Sequence, residues 1–131
     1  ITVPTPPGAD GEAVQAEVVR NLYRLWFSAP AMAGVTYWNL GDSMAHDKEN
    51  TAAAGLIDKD LKPKAAYRVL DELINQVWRS QVEGWADANG TLKFRGFYGA
   101  YDVTVTRGGV TRTVPLHLSK GGPAEQRVVF N

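Results

Sequence analysis

Three side chains in the first half of the chain have types and spacing that suit a hydroxyl-rich ligand. Trp38, Asn39 and Asp42 lie where a short uncharged run passes into a polar loop. An indole ring can stack on the apolar face of a sugar ring, and amide or carboxylate oxygens can accept hydrogen bonds from its hydroxyl groups. We predict these three residues as a substrate-binding group. The residue types leave open the alternatives of a core tryptophan and of loop capping by Asn39 and Asp42.

Catalytic side chains are not apparent beside these binding residues. Hydrolysis of a glycosidic bond needs two carboxylates that face each other across a cleft. Asp58 and Asp60 are close in sequence, but they flank a predicted turn. His46 stands next to Asp47 without the spacing of a metal-binding motif. We therefore predict no catalytic residue, no metal site and no cofactor within this chain.

The segments on either side of Trp38 predict how it is positioned. Residues 34–38 form a short uncharged strand that suits burial on both faces of a sheet. Helix, strand and helix in this order predict an α/β fold with a parallel sheet, in which ligand sites lie where strands end. The two helices are predicted from apolar residues at helical spacing, which are Val14, Val18, Leu22, Leu25 and Trp26 before the strand, and Ala66, Val69, Leu70, Leu73, Ile74 and Val77 after it.

The last third of the chain has a different pattern. From about Val82 the helical period gives way to apolar and polar residues in alternation, interrupted by glycines. Asn89–Gly90 and Gly108–Gly109 are pairs typical of tight β-hairpin turns. We predict one domain over residues 1–79 and a second, antiparallel β domain over residues 80–131.

Composition excludes several classes of function. The 131 residues carry 14 basic and 14 acidic side chains, which gives no electrostatic footprint for a nucleic-acid partner. No apolar run approaches the roughly 20 residues of a membrane-spanning helix, so no membrane partner is expected. The chain has 0 cysteines, which excludes disulfides and thiolate metal sites.

Four blocks of the first domain resemble a known family in their order and spacing. The blocks are residues 1–6, residues 16–28, residues 34–39, and the Gly-Leu-Ile-Asp run at 55–58 followed by Lys-Pro-Lys-Ala-Ala-Tyr at 62–67. They resemble the C-terminal part of family 10 glycoside hydrolases, the endo-1,4-β-xylanases. Residues 91–101 resemble the β extension that follows the barrel in one branch of that family.

The resemblance implies a fold of α/β plus all-β class. Residues 1–79 would be the C-terminal portion of a (β/α)8 TIM barrel, comprising strands 7 and 8 with their helices. A small antiparallel β-sandwich-like module would follow. The resemblance places the nucleophilic Glu immediately before Ile1 and the acid/base Glu further upstream, so the chain would be a piece of a longer protein. Trp38 would wall the subsite beside the cleaved bond.

The resemblance also implies a function. The chain would be a fragment of a retaining glycoside hydrolase that cleaves β-1,4-xylosidic bonds in xylan, inactive alone because both carboxylates lie outside it. Its partners would be xylan or a related β-glycan and the rest of the barrel. An extracellular or periplasmic location would follow, because polymeric xylan cannot enter a cell. The alternative is a non-catalytic carbohydrate-binding or spacer protein that uses the β module.

Overall fold

The computed structural model describes residues 1–123, 125 and 127–129. The chain divides into two compact units, Ile1–Trp78 and Arg79–Asn131. Each unit is described by itself below, as the first and the second unit. The predicted division into domains at residues 79 and 80 stays a prediction.

Each unit has its own class of secondary structure. The elements in chain order are α1 (Gly11–Ser28), a 3-10 helix (Asp47–Ala52), α2 (Ala65–Glu72), a π-helical turn that continues it (Leu73–Val77), β1 (Gly99–Arg107) and β2 (Val110–Leu118). The helices therefore belong to the first unit and both strands to the second. None of the helices in the described ranges has the length and apolar character needed to cross a membrane.

Helix α1 begins and ends where local chemistry requires. Glu12 lies in the first turn, where the helix dipole favours a carboxylate. Pro30 disfavours helical backbone at the residue before it, and the Ser28 hydroxyl donates to the Leu25 carbonyl at 2.7 Å. The face of α1 that is buried is formed by Gly11, Gln15, Ala16, Val19 and Tyr23.

The apolar stripe predicted for α1 lies largely outside the core. Val14, Val18 and Leu25 are 44%, 40% and 63% exposed. The helix is confirmed, but the prediction of its buried face is wrong at these three positions. The cause is Gln15, whose side chain is held inside by backbone carbonyls, so that the face beside the predicted one is turned inwards.

Helix α2 completes the core of the first unit. Its predicted stripe is confirmed at Ala66, Val69, Leu70 and Leu73, which are all buried, and is wrong at Ile74 and Val77, which are both exposed. Full burial of a large aliphatic side chain stabilises a fold by about 1.5–3 kcal/mol. The core that α1 and α2 share consists of Val3, Ala16, Val19, Tyr23, Leu56, Ala66, Val69, Leu70 and Leu73.

No parallel sheet forms among the described residues of the first unit. The Trp38 N–H donates to the Ile1 carbonyl at 2.8 Å, yet residues 1–3 and 34–38 belong to no strand. Isolated bridges join Gly41 to Ile57 and Ile57 to Pro63. Strands 7 and 8 of a barrel would be continuous neighbouring strands of one sheet, and these two runs form no strand in the described residues. The predicted portion of a TIM barrel, with its strands 7 and 8, is therefore wrong.

The second unit is built on one antiparallel hairpin. Strand β1 pairs with β2 from Gly99 opposite Leu118 to Arg107 opposite Val110. Gly108 and Gly109 join the strands with φ values of 56° and 80°, which a tight primed turn requires and glycine adopts without strain. This hairpin prediction is confirmed.

The sandwich-like arrangement predicted for the second unit is wrong in the described residues. Their sheet has 2 strands, and no described side chain from residue 79 onwards is buried. Asn89–Gly90 does form a turn, in which the Gly90 N–H donates to the Asp87 carbonyl at 2.9 Å, but no strands flank it. Aromatic side chains of this unit are exposed as well, with Trp85 at 96% and Tyr98 at 70%.

Candidate functional site

Trp38 and Asn39 are adjacent in sequence but lie in opposite environments. Trp38 is 70% exposed, whereas Asn39 is 6% exposed. Since a core position would leave the indole covered, the alternative of a core tryptophan is wrong. Its ring is open to a partner, and the Asn39 side chain is not beside it at the surface.

The Asp42 carboxylate is engaged inside the protein. Its Oδ1 accepts the Gly55 N–H at 2.8 Å, and the Lys64 ammonium donates to Oδ1 at 3.2 Å and to Oδ2 at 3.0 Å. The structure therefore does not present Trp38, Asn39 and Asp42 together at one surface. Their substrate-binding role itself stays a prediction.

Lys64 is the residue that organises this region, and the sequence gives little sign of it. Its side chain is 2% exposed, although lysine is almost never fully buried unless it is paired. Besides Asp42, its Nζ donates to the Thr5 hydroxyl at 3.0 Å and to the Ala53 carbonyl at 2.8 Å. The Lys64 ammonium thus links the segments that contain Thr5, Asp42 and Ala53 to the start of α2.

Gln15 and Tyr37 extend the same buried polar cluster. Gln15 Nε2 donates to the Val3 carbonyl at 2.8 Å and to the Gly55 carbonyl at 3.3 Å. The Tyr37 hydroxyl donates to the Ala54 carbonyl at 2.9 Å. Burial raises the pKa of Tyr37, so that its phenol stays protonated and acts as a donor. We call Thr5, Gln15, Tyr37, Asp42 and Lys64 the polar cluster.

The polar cluster is suited to holding segments together and not to catalysis. Its ammonium, carboxylate and phenol groups are already paired, which leaves no free base or nucleophile among them. Within the described residues, no group of three or more His, Asp or Glu side chains is placed to hold a metal ion. A sequence signal for the cluster exists only in Gln15, a polar residue on the helix face that carries Ala16 and Val19.

Asp58 closes a turn near this cluster and gives a pH-dependent prediction. Its Oδ1 accepts the N–H groups of Lys62 at 2.9 Å and of Asp60 at 2.8 Å. The bond from Lys62 is the main reason that the pKa of Asp58 lies below its ordinary 3.8. A carboxyl whose pKa is lowered by folding contributes stability above its unfolded pKa, and that stability is lost as the pH falls through the folded pKa.

We therefore expect an NMR titration of the Asp58 carboxyl to give a midpoint below 3.8. The same residue in a urea-unfolded chain serves as the control and should titrate at the ordinary 3.8. Equal midpoints in the folded and unfolded chain would show that the two turn bonds do not favour the carboxylate.

Comparison with known proteins points away from carbohydrate chemistry. No model of a known protein family matches the chain. The chain is 32% identical over 108 residues to the anti-sigma-I factor RsgI6 of Acetivibrio thermocellus. The aligned segment is 82% of this chain and 14% of that protein, so the chain spans about one seventh of its relative's length.

The aligned segment involves both units. It contains 108 residues, and the first unit has 78, so at least 108 − 78 = 30 aligned residues lie in the second unit. The aligned segment therefore reaches from the first unit into the second. The similarity therefore extends beyond any one helix or hairpin.

This similarity overturns the resemblance to xylanases. The relative is named as an anti-sigma factor and not as a glycoside hydrolase, and the described residues contain none of the barrel sheet that the resemblance requires. The predictions of a xylanase fragment, of xylan hydrolysis and of a polysaccharide partner are wrong. The alternative of a carbohydrate-binding or spacer protein is not supported either. The extracellular or periplasmic location stays a prediction.

Proposed function

We propose that this chain is part of an anti-sigma regulator and that its protein partner is a sigma factor. The observation that carries the proposal is the 32% identity to RsgI6, which extends over 108 residues and both units. The proposed function is regulation of transcription through protein binding. It requires an accessible surface and no catalytic group.

The surface of α1 supports a protein-binding role. Val14, Val18 and Leu25 follow one another at spacings of four and seven along the helix, which places them on one side of it. They are exposed although they are apolar, and exposed apolar patches are typical of protein contacts. We name these three residues the α1 stripe and propose that it contacts the sigma factor.

The proposal predicts direct binding between the chain and a purified sigma factor of the sigma-I type from the same organism. Isothermal titration calorimetry should give a saturable 1:1 complex. Val18→Glu should weaken binding at least about tenfold, because a carboxylate buried in the contact would lose its hydration without gaining a partner. Val77→Glu is the matched control and should bind normally, since Val77 is 45% exposed, close to the 40% of Val18, and lies outside α1.

A second arm tests the role of the chain within the longer protein. A reporter gene under a sigma-I-dependent promoter should be repressed by the complete protein and released when residues 1–131 are deleted or carry Val18→Glu. Repression that is unaffected by the deletion would overturn the proposal that this chain contacts the sigma factor. Absence of repression by the complete protein would overturn the proposed regulatory function itself.

A further inference from the structure

Strand β1 has an outer edge that is suited to pairing with another strand. In a two-residue hairpin the closing residues, here Arg107 and Val110, exchange backbone hydrogen bonds, and such pairs alternate with non-bonded ones. The residues of β1 at non-bonded positions direct their N–H and C=O groups away from β2; they are Ala100, Asp102, Thr104 and Thr106. In the described part of the chain no other strand pairs with β1.

The two edges of the hairpin differ in their protection. Pro115 of β2 stands opposite Asp102, at one of the positions that face away from the partner strand. Because proline has no N–H, it interrupts the outer edge of β2, as proteins commonly do to prevent unwanted pairing. Strand β1 has neither proline nor lysine. Its outer edge is therefore the one at which a strand can be added.

A further strand would add to the stability of the hairpin. On one face Tyr101, Val103 and Val105 of β1 and Val114 and Leu116 of β2 are only half-buried. An isolated two-stranded hairpin is at best marginally stable in water, and three or more strands with an apolar face are usually required. Addition of strands at β1 would widen this apolar face.

We propose that the strand added at β1 is β1 of a second copy of this chain, antiparallel to the first. Val103 is the central residue of the strand Gly99–Arg107. Antiparallel pairing about Val103 matches the whole strand with its copy and keeps the apolar residues of both copies on one face. It sets Ala100 opposite Thr106 and Asp102 opposite Thr104, so that outward-facing backbone groups meet each other.

Charge disfavours the neighbouring register, in which the pairing is centred on Asp102. Pairing about Asp102 would place two identical carboxylates directly opposite each other, which is unfavourable. Pairing about Val103 puts Asp102 beside a hydroxyl and Arg107 beside Gly99, with no like charges opposed. The net charge of the chain is 0, so two copies do not repel each other at long range. The result is an isologous dimer with a four-stranded sheet.

A crosslinking experiment tests the axis of this dimer. The chain has 0 cysteines, so a single Val103→Cys variant has one thiol per copy. In the dimer the two Val103 residues form a non-bonded pair about 4.5 Å apart at Cα, within reach of a disulfide. Mild oxidation of the full chain should give covalent dimers. Val114→Cys is the control, since Val114 pairs with Val103 in the same hairpin on the same face, and it should crosslink at least about tenfold less.

Sedimentation equilibrium of the full chain tests whether the outer edge of β1 forms the dimer contact. Thr104 and Thr113 share one hydroxyl–hydroxyl hydrogen bond of 2.9 Å, so Thr104→Asp and Thr113→Asp remove the same contact. Only Thr104→Asp sets a carboxylate opposite Asp102 of the second copy, twice per dimer, and it should raise the dimer Kd about tenfold. A chain that is monomeric at every concentration would overturn the proposal. Equal weakening by both variants, or equal crosslinking of both cysteine variants, would overturn it as well.

Discussion

Replacement of Lys64 by methionine is expected to destabilise the first unit by about 3–5 kcal/mol. Removal of one partner of a buried ion pair leaves the other charge without compensation, which is the costly case for such pairs. The Asp42 carboxylate, 17% exposed at its side chain, would keep the Gly55 N–H as a donor but lose the ammonium. Methionine preserves most of the length of the lysine chain. The loss of stability therefore reflects the missing charge and hydrogen bonds of Lys64 more than a change in side-chain volume.

Urea denaturation followed by far-UV circular dichroism measures this effect, because α1 and α2 both lie in the first unit. Lys62→Met is the control, since Lys62 is exposed two residues away and its turn bond to Asp58 uses the backbone N–H. It should change stability little. Equal midpoints for the two variants would mean that the buried pair does not anchor the first unit.

A double replacement measures the coupling between Lys64 and Asp42 apart from their bonds to other residues. Lys64→Met combined with Asp42→Leu should be more stable than Lys64→Met alone, because no unpaired charge then remains inside. The difference between the double variant and the sum of the single ones gives the coupling between the two residues. A purely additive result would assign the stability to the bonds with Thr5 and Ala53 instead.

The parts of the fold that the sequence predicts correctly are those that depend on neighbouring residues. The stripe at Ala66, Val69, Leu70 and Leu73 is at helical spacing and is buried. The two glycines at 108 and 109 adopt the positive φ values that their hairpin turn requires. In both cases the residues that determine the local structure lie within a few positions of one another in the sequence.

The parts that the sequence does not predict depend on distant residues. Gln15 is turned inwards by carbonyls at Val3 and Gly55, twelve and forty positions away, and this sets which face of α1 is buried. Lys64 is buried because Asp42 and Thr5 supply acceptors, a fact that its neighbours Pro63 and Ala65 do not indicate. The bonds of Asp42 to Gly55 and Lys64 likewise join residues that are far apart in the sequence, so its position near Trp38 does not indicate them.

The xylanase resemblance was wrong for a related reason. Its four blocks lie in segments 1–6, 16–28, 34–39 and 55–67, which are mostly an amphipathic helix and short β-branched runs. Such segments recur in many folds, and their order alone does not require a barrel. The similarity to an anti-sigma factor is a single alignment of 108 residues, whereas the blocks are short and separate.

Replacement of Gly55 by alanine is expected to destabilise the first unit by about 3 kcal/mol, because overpacking against rigid atoms is costly. A Cβ at this position would lie 2.8 Å from the Gly41 Cα and closer still to the Asp42 backbone nitrogen. Backbone atoms cannot move aside as a side chain can. A shift of Gly55 would also disturb the bonds by which it donates to Asp42 and accepts from Gln15.

Gly34→Ala is the matched control for this replacement, since a Cβ at Gly34 meets nothing within 4 Å. It should leave stability unchanged or raise it by up to about 1 kcal/mol, because alanine has less freedom to lose on folding. Urea denaturation compares the two variants, and amide hydrogen exchange locates the damage. In Gly55→Ala the Asp42 and Leu56 N–H groups, which donate to Ile57 at 2.9 Å and to Leu40 at 2.8 Å, should exchange faster. If both variants were equally stable and equally protected, residues 40–42 and 55–57 would not be packed as closely as the structure describes.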